Sequence, residues 1–316
     1  MNRIESLFIE GYEIKIQTQR DIGGLFCGYL GPRGTYTQQA AQELLQNQSG
    51  LIPYSTITEV MKALERNAID IGFVPIENSI EGNVTESVRS VIHSDLPINS
   101  KIQILAEKTL PINHVLFGTS IAMEKRILRS HPQALGQCSL WINNNLPDAT
   151  IVRENSTAEA IIVATEKDEL AIGNRLAGAM YGAKILKEDI MDLKSNHTRF
   201  WLLGNGETNP TGDDRVTMVY TLKNRPGTLL KVISSFAKRE ISINKIDSLP
   251  LGTLDEYYFL MSVDGHIIDS QIQEAIEEIK SSVWKIKILG SYQKSRSEII
   301  YDAEAEKNGW INLAKC

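Results

Sequence analysis

The chain has 316 residues, which is long for a single core and suits two or three structural units. Hydrophobic residues make up 42% of it and charged residues 23%, both ordinary shares for a globular protein. The formal net charge is -6 and there is no basic stripe, so nucleic acid is not an expected partner. No apolar run approaches the roughly 18 residues of a membrane span, so no membrane association is expected.

The compartment is predicted from the N-terminus and the cysteines. The stretch MNRIESLFIEGYEIKIQTQRD is charged throughout and lacks the apolar centre of a signal peptide. The cysteines are widely spaced, at Cys27, Cys138 and Cys316, and form neither a metal pattern nor an even disulfide set. We expect Cys27 and Cys138 to be small buried side chains in a reducing compartment, and therefore a cytoplasmic protein.

The first part of the chain alternates strands and helices. Residues 1–24 are predicted to be an extension that either packs on the core or mediates contacts. Strands are then predicted at FCGYLG, LIPYS and IDIGFVPI, and helices at TQQAAQELLQ and ITEVMKALERN. This alternation indicates an α/β layer with a largely parallel sheet.

A second alternation follows a long extended segment. KIQILAEKTLPINHVLFG is strand-like on both sides of Pro111 and can leave one sheet for another. Helices are predicted at SIAMEKRILRS, SHPQALGQCSLWINNN and TAEAIIVATEK, and strands at ATIVRE and ELAIGN, before the chain reaches RFWLLG. We therefore predict that residues 25–206 form two α/β lobes joined by crossing strands, with a cleft between them.

The composition changes after Gly206. Residues 207–214 are a linker rich in Pro, Gly and Asp. Residues 215–292 have the order βαββαβ of a ferredoxin-like unit. Residues 293–316 are a polar tail, predicted to be a partly ordered terminus.

GPRGTYTQQAA joins the first predicted strand to its helix. Two glycines allow a tight turn, and Thr35 or Thr37 can cap the helix. The N–H groups of the first turn would then form an anion site. An ordinary βα turn with a threonine cap accounts for the same residues.

VPIENSIEGNVTESV places polar side chains at the carboxyl end of a strand, where ligands of open α/β sheets bind. Asn78 and Ser79 can donate to a carboxylate, and Glu77 can accept a hydrogen bond. A turn held by Asn and Ser hydrogen bonds is the alternative. Ser156 is interpreted as a helix cap before TAEAIIVATEK, and His131 as a local hydrogen-bonding residue.

KSNHTRFWLLG brings polar side chains to the start of an apolar strand. Strand alternation puts Thr198 and Phe200 on one face and Arg199 on the other. A threonine hydroxyl acts as an acid only when the leaving group gains basicity as it departs. The alternative is a threonine at a strand entry beside a surface arginine.

In combination, the ordered motifs GPRGTY, PYSTITEVMKALERNAIDIGFVPIENSIEGNV, LPINHVL, SHPQALGQC, STAEA, NHTRF and NRPGTL resemble the prephenate dehydratase family over about Leu25 to Tyr292. The resemblance implies two α/β lobes of the periplasmic-binding type around a cleft, followed by an ACT domain. It implies loss of water and carbon dioxide from prephenate to give phenylpyruvate, in phenylalanine biosynthesis, without a cofactor or metal.

The resemblance also implies roles for individual residues. Thr198 would donate a proton to the leaving hydroxyl. The substrate-binding residues would be Thr35, Asn78, Ser79, Arg199 and Phe200, with Arg199 supporting the site. L-Phe is the implied effector of the ACT domain, at Asn224, Pro226, Gly227 and Leu229, and a homodimer or homotetramer is expected.

Two departures from the family pattern bear on specificity and regulation. Gly173-Asn174 stands where members often have Ala-Ser, and Leu249 replaces the arginine of a Glu-Ser-Arg-Pro segment. Feedback by phenylalanine is therefore expected to be weak. The alternatives are an arogenate dehydratase, a decarboxylase that keeps the hydroxyl, which Thr198 argues against, and a non-catalytic amino-acid sensor.

Overall fold

The computed structural model describes residues 3–19, 24–93, 102–119, 126–223, 225–250 and 257–295. The first part comprises β1 (Arg3–Ile9), β2 (Tyr12–Thr18), β3 (Leu25–Leu30), α1 (Tyr36–Leu45), β4 (Ser49–Tyr54), α2 (Ile57–Glu65), β5 (Ile71–Asn78), β6 (Gly82–Asn83), α3 (Thr85–His93) and β7 (Ile102–Pro111). The second comprises β8 (Val115–Phe117), β9 (Ile127–Ser130), α4 (Pro132–Gln137), α5 (Ser139–Asn145), β10 (Thr150–Arg153), α6 (Thr157–Lys167), β11 (Leu170–Gly173), α7 (Arg175–Tyr181) and β12 (Ile185–Lys187). After β13 (His197–Glu207) come β14 (Asp214–Leu222), α8 (Thr228–Ala237), β15 (Ile243–Pro250), β16 (Tyr257–Asp264), α9 (Ser270–Ile279) and β17 (Val283–Gln293).

The mixed α/β class predicted from the sequence is confirmed. One sheet has the strand order β15-β16-β14-β17-β7-β13-β5-β3-β4, and the other has the order β10-β9-β11-β8-β12. In β13, Phe200 and Leu202 are buried in the apolar cluster under α1, whereas Trp201 and Leu203 are buried in the cluster under α2 and α3. Because successive side chains of a strand point to opposite faces, one apolar run fills both layers.

The N-terminal extension packs on the first lobe. β1 and β2 form an antiparallel hairpin, and β2 pairs with the end of β13 at Gly206 and Glu207. Leu7 and Ile16 are fully buried in the cluster under α1. Each such side chain contributes roughly 1.5–3 kcal/mol by burial, so the hairpin adds to the core of this lobe.

The second lobe is a five-stranded sheet in which β9 runs parallel to β10 and β11. The helix predicted for SIAMEKRILRS is wrong over Ile127–Ser130, which is strand β9; Ser120–Lys125 lie outside the described residues. Successive side chains of β9 alternate between the apolar core of the lobe and ion pairs. Leu128 is buried in the lobe core, whereas Arg129 forms ion pairs with Glu154 and Glu169.

The third unit has the order βαββαβ and places its strands as β15-β16-β14-β17, the ferredoxin-like arrangement. One face of its sheet packs under α8 and α9, and the other face contributes Val219, Leu260 and Leu289 to the cluster of the first lobe. β17 touches β7 at Gly290, where an added Cβ would lie 2.3 Å from the Ile104 carbonyl oxygen. Glycine at 290 therefore lets the two sheets join.

Two further observations concern the predicted environment. None of the helices within the described residues is long and apolar enough to cross a membrane. Cys27 and Cys138 are free and buried, as predicted, and burial raises the pKa of the Cys138 thiol to about 12.

Candidate functional site

A cavity of about 230 Å³ lies between the two lobes. It is lined from the first lobe by Leu30, Gly31, Thr35, Tyr36, Thr37, Pro75, Asn78, Ile112, His114, Thr198 and Phe200, and from the second by His131, Gln133, Ala134, Gln137, Asn155, Ser156 and Thr157. The cavity therefore has the place predicted for the cleft.

Thr35 marks the helix N-terminus on the first-lobe side. Its Oγ1 accepts a hydrogen bond from Gln38 N over 3.3 Å and donates one to the Leu30 carbonyl oxygen over 3.2 Å. The hydroxyl is thus engaged in capping α1. The first-turn N–H groups of Tyr36 and Thr37 have no partner within the helix, and both residues line the cavity.

Two more helices begin at the opposite wall. Ser156 caps α6 by accepting from Glu159 N over 3.0 Å, and His131 caps α4 through Nδ1, which accepts from Gln133 N over 3.3 Å. Both caps agree with the sequence interpretation. Burial lowers the pKa of His131, so the ring caps in its neutral form. The N-termini of α1 and α6 border the cavity, and their positive ends favour an anionic ligand. The short α4 offers few free donors, because Pro132 has no N–H and the Gln133 N–H is taken by His131.

Thr198 and Asn78 form the polar part of the first-lobe wall. The two residues are register partners in β13 and β5, and Asn78 Nδ2 donates to Thr198 Oγ1 over 3.0 Å. No acceptor for the Thr198 hydrogen occurs in the described part of the chain. Since the amide occupies a lone pair of the hydroxyl, its hydrogen is available to a ligand.

The carbonyl end of Asn78 is also engaged. Its Oδ1 accepts from the backbone N–H groups of Ile80 and Glu81, each over 3.0 Å. The neighbouring Ser79 is exposed and does not line the cavity. Its hydroxyl donates to Ser195 O over 3.1 Å and accepts from His197 N over 2.9 Å. The side chains of Asn78 and Ser79 thus connect the end of β5 to the start of β13 by hydrogen bonds.

Phe200 lies on the cavity side of β13 and stacks on Phe73, with ring centroids 5.3 Å apart. Arg199 lies on the opposite face and does not line the cavity. Its Nη1 is 3.2 Å from Glu77 Oε2, and its Nε is 3.8 Å from Glu107 Oε2. The structure confirms the prediction that the side chains of Thr198 and Phe200 lie on one face of the strand and that of Arg199 on the other.

The charges behind the cavity wall connect the first lobe to the βαββαβ unit. Glu107 accepts from Arg215 Nη1 at 2.8 Å to each carboxylate oxygen. Lys245 Nζ lies 2.7 Å from Glu77 Oε1 and 3.2 Å from Asp247 Oδ2. Arg215 and Lys245 of this unit therefore hold the carboxylates that pair with Arg199.

Three buried polar residues of the site were not predicted. Gln137 and His114 line the cavity, Asn196 lies next to Gln137, and the three are joined by hydrogen bonds of 2.9 Å. Each stands in a quoted motif, but only His114, in LPINHVL, is a polar side chain inside a mostly apolar motif, which was the available signal. Burial lowers the pKa of His114 to about 4, so its ring is neutral at pH 7.

A second cavity of about 640 Å³ lies in the βαββαβ unit, at the N-terminus of α8. It is lined by Thr221, Leu222, Lys223, Arg225, Gly227, Thr228, Leu229, Leu230, Tyr257, Tyr258, Phe259, Trp284 and Lys285. Of the residues expected to bind an effector, Gly227, whose φ is 80°, and Leu229 line this cavity. Pro226 does not line it, and Asn224 lies outside the described residues.

Leu249 does not line this second cavity, although it pairs in register with Tyr258, which does. It is 8% exposed and belongs to the apolar cluster that joins the βαββαβ unit to the first lobe. Within the described residues, no group of three His, Cys, Asp or Glu side chains is placed to hold a metal. Catalysis without a metal or cofactor stays a prediction.

The family profile that this chain matches and three known proteins that resemble it in sequence or structure are described as prephenate dehydratases, alone or fused to chorismate mutase. Residues 27–208 match the profile of the family described as prephenate dehydratase. The chain is 36% identical over 274 residues to prephenate dehydratase of Lactococcus lactis subsp. cremoris, covering 84% of this chain and 96% of that protein. It is 34% identical over 270 residues to bifunctional chorismate mutase/prephenate dehydratase of Aquifex aeolicus, covering 84% of this chain and 73% of that protein. The crystal structure of prephenate dehydratase in complex with L-Phe from Arthrobacter aurescens has a TM-score of 0.78 and 29% identity, covering 89% of this chain and 94% of that one.

Proposed function

The chain belongs to the prephenate dehydratase family, enzymes that dehydrate and decarboxylate prephenate, and we propose that its interlobe cavity binds prephenate with Thr198 as proton donor. One observation carries this assignment: the Thr198 hydroxyl, already accepting from Asn78, lines a cavity that is bordered by the N-termini of α1 and α6. Such a site combines a free O–H donor with a field that favours anions.

The reaction asks little covalent chemistry of the protein. The bond from the ring to its carboxylate breaks, carbon dioxide leaves, and the electron pair moves through the diene as the C–O bond to the hydroxyl breaks. The departing hydroxide takes the Thr198 proton and leaves as water, and solvent returns a proton to the threonine. Aromatisation supplies much of the driving force, so the site acts by positioning and by stabilising developing charge.

The two carboxylates of prephenate are assigned to the helix N-termini. The N–H groups of Tyr36 and Thr37 at the start of α1 are assigned to one carboxylate, and the first turn of α6 to the other. Thr35 acts as the cap that exposes these groups, which is consistent with its hydroxyl being engaged with Gln38 and Leu30. Phe200 contributes an apolar wall for the ring.

The remaining residues expected to bind substrate are assigned supporting roles. Asn78 holds the Thr198 hydroxyl, because both ends of its amide are engaged within the protein. Ser79 fixes the backbone at His197, and Arg199 braces β13 from the face opposite the cavity. Under this assignment Asn78, Ser79 and Arg199 support the site and do not contact the substrate directly, which differs from the expectation from the sequence.

Turnover of prephenate, followed as phenylpyruvate absorbance, tests the function, with arogenate as the second substrate in a matched assay. Equal or greater activity on arogenate would assign the arogenate dehydratase reaction. Binding of prephenate without product formation would assign the sensor function instead. Formation of phenylpyruvate by the wild-type chain, lost in Thr198→Val, is the result we expect.

We further propose that the βαββαβ unit is an ACT domain whose 640 Å³ cavity binds L-Phe. The proposal is supported by the ferredoxin-like strand order and by the complex with L-Phe of the similar Arthrobacter aurescens structure. Exposed Trp284 and Leu230 line the cavity, which is consistent with closure by a second copy in a homodimer or homotetramer. Periplasmic-binding-type lobes and a cytoplasmic location stay predictions.

A further inference from the structure

A continuous row of side-chain hydrogen bonds runs along one side of the cavity, and all of its residues except Asn196 line the cavity. Asn78 Nδ2 donates to Asn196 Oδ1 over 2.7 Å, and Asn196 Nδ2 donates to Gln137 Oε1 over 2.9 Å. Gln137 Oε1 is also 2.9 Å from His114 Nε2, and His114 Nδ1 is 2.9 Å from the hydroxyl of Tyr36. We name these five residues the amide row.

The backbone fixes the direction of the amide row. Ile80 N and Glu81 N both donate to Asn78 Oδ1, so the oxygen and nitrogen of that amide cannot be exchanged. Asn78 therefore donates an N–H to Asn196, which must accept through its side-chain oxygen. The side-chain nitrogen of Asn196 then donates to Gln137. Exchanging any one amide would set two N–H groups or two oxygens against each other.

The end of the row selects one tautomer of His114. Gln137 Oε1 is an acceptor, so Nε2 of the ring must carry the hydrogen that bonds to it. The opposite tautomer would place a lone pair of the ring against the glutamine oxygen. In the selected form Nδ1 is the acceptor, and the single O–H of Tyr36 lies 2.9 Å from it and 2.7 Å from Asn113 O.

Gln137 Nε2 is the remaining donor of the row. It is buried and has no hydrogen-bond partner in the described part of the chain, whereas Gln137 Oε1 has two donors. Gln137 also lines the cavity between the lobes. A buried N–H group without a partner is costly unless a ligand supplies an acceptor.

We propose that His114, as its Nε2–H tautomer, is a positioning residue that holds the Gln137 carboxamide so that Nε2 is presented to a substrate oxygen. The inference rests on the proposed function for the identity of that substrate. His114 is only 3% exposed, and burial holds its pKa near 4, so the ring is neutral under ordinary conditions. Its action is exerted through Gln137.

The tautomer is tested directly on the wild-type protein by ¹⁵N NMR of histidine-labelled, full-length chain at pH 7. The chain has five histidines, and the His114 signals are assigned by their loss in His114→Phe. We expect a protonated Nε2 and an unprotonated Nδ1. A protonated Nδ1, with or without a second proton on the ring, overturns the proposal, and this result is independent of any activity on prephenate.

The coupling to Gln137 is tested by kcat/KM for prephenate. His114→Phe is expected to lose about tenfold, the effect of one misdirected hydrogen bond, and His114→Gln to recover most of it because its Nε2–H can take the place of the ring N–H. In a Gln137→Leu background, His114→Phe is expected to cost nothing further. Equal losses in both backgrounds would assign His114 to packing alone. Tyr220→Phe, which trims a buried tyrosine of the βαββαβ unit, is the control for general destabilisation.

Discussion

Asn78 donates from Nδ2 to Oγ1 of Thr198 over 3.0 Å, across two neighbouring strands whose residues are in register. The carbonyl oxygen of Asn78 is held by two backbone N–H groups, so the amide has one orientation. The Thr198 hydroxyl is therefore an acceptor toward the protein and a donor toward the cavity. This relationship gives the threonine of β13 a directed proton before any ligand binds.

Thr198→Val is expected to keep the fold and to lower kcat by at least ~10²-fold, the usual scale for general acid catalysis. Valine has nearly the same shape but provides no proton for the leaving hydroxide. Steady-state kinetics with prephenate measure the loss, and Thr165→Val, which removes a threonine hydroxyl of α6 outside the cavity, serves as the control. A folded Thr198→Val protein with near-normal kcat would remove Thr198 from the proton-donor role.

Asn78→Ala is expected to act mainly on kcat, because it leaves the Thr198 hydroxyl free to rotate rather than removing a contact to substrate. Loss of one buried hydrogen-bond partner costs roughly 1–3 kcal/mol, or about 5- to 150-fold in rate. Ser79→Ala, on the next residue but outside the cavity, is expected to cost less than Asn78→Ala. Equal effects of the two substitutions, seen in KM rather than kcat, would instead indicate direct binding of substrate.

Lys245→Met is expected to lower kcat about fivefold while leaving KM nearly unchanged, the effect of losing ~1 kcal/mol of support at the strand ends. Lys245 pairs with Glu77, which precedes Asn78 and also pairs with Arg199 beside Thr198. Lys294→Met is the matched control, since Lys294 pairs with Asp213 and Asp264, away from the cavity. If the two variants have the same kcat, the charges behind the wall do not support the site.

L-Phe is expected to inhibit weakly or only at high concentration. Allosteric coupling is typically 1–3 kcal/mol and requires contacts that differ between two states. Leu249 is buried among apolar side chains and makes no directed hydrogen bond that an arginine would make. Prephenate turnover titrated with L-Phe, alongside calorimetric binding, measures the coupling. Tight binding with strong, cooperative inhibition would contradict this expectation.

The stability of the protein is expected to fall in mild acid because of His114. Its folded-state pKa is about 4 against an ordinary value of 6.5, so between these values the unfolded chain binds more protons than the native one. The stabilisation is fully present above pH 6.5 and is lost as the pH falls toward 4. From pH 7 to pH 5 the contribution is about 2 kcal/mol. Urea unfolding at both pH values should show a smaller loss for His114→Gln, and an unchanged loss would assign the acid sensitivity to other groups.

The local sequence determined the parts of this protein that depend on neighbouring residues. Thr35 and Ser156 cap helices through N–H groups three positions along the chain, and the apolar run of β13 requires burial on both faces. Such interactions are set within one turn or one strand and can be predicted from spacing. The ordered motifs also indicated the family, which the comparisons confirm.

Only the tertiary structure decided how the polar side chains of the site share their hydrogen bonds. Asn78 and Asn196 are 118 positions apart, so the hydrogen bond between their side-chain amides forms only when β13 lies beside β5. The pairing of β13 with β5 also places Asn78 against Thr198, and the packing of the βαββαβ unit on the first lobe brings Lys245 to Glu77. In the second lobe, the parallel pairing with β10 and β11 decided that Ile127–Ser130 is a strand. Each of these outcomes depends on residues far along the chain, which local spacing does not encode.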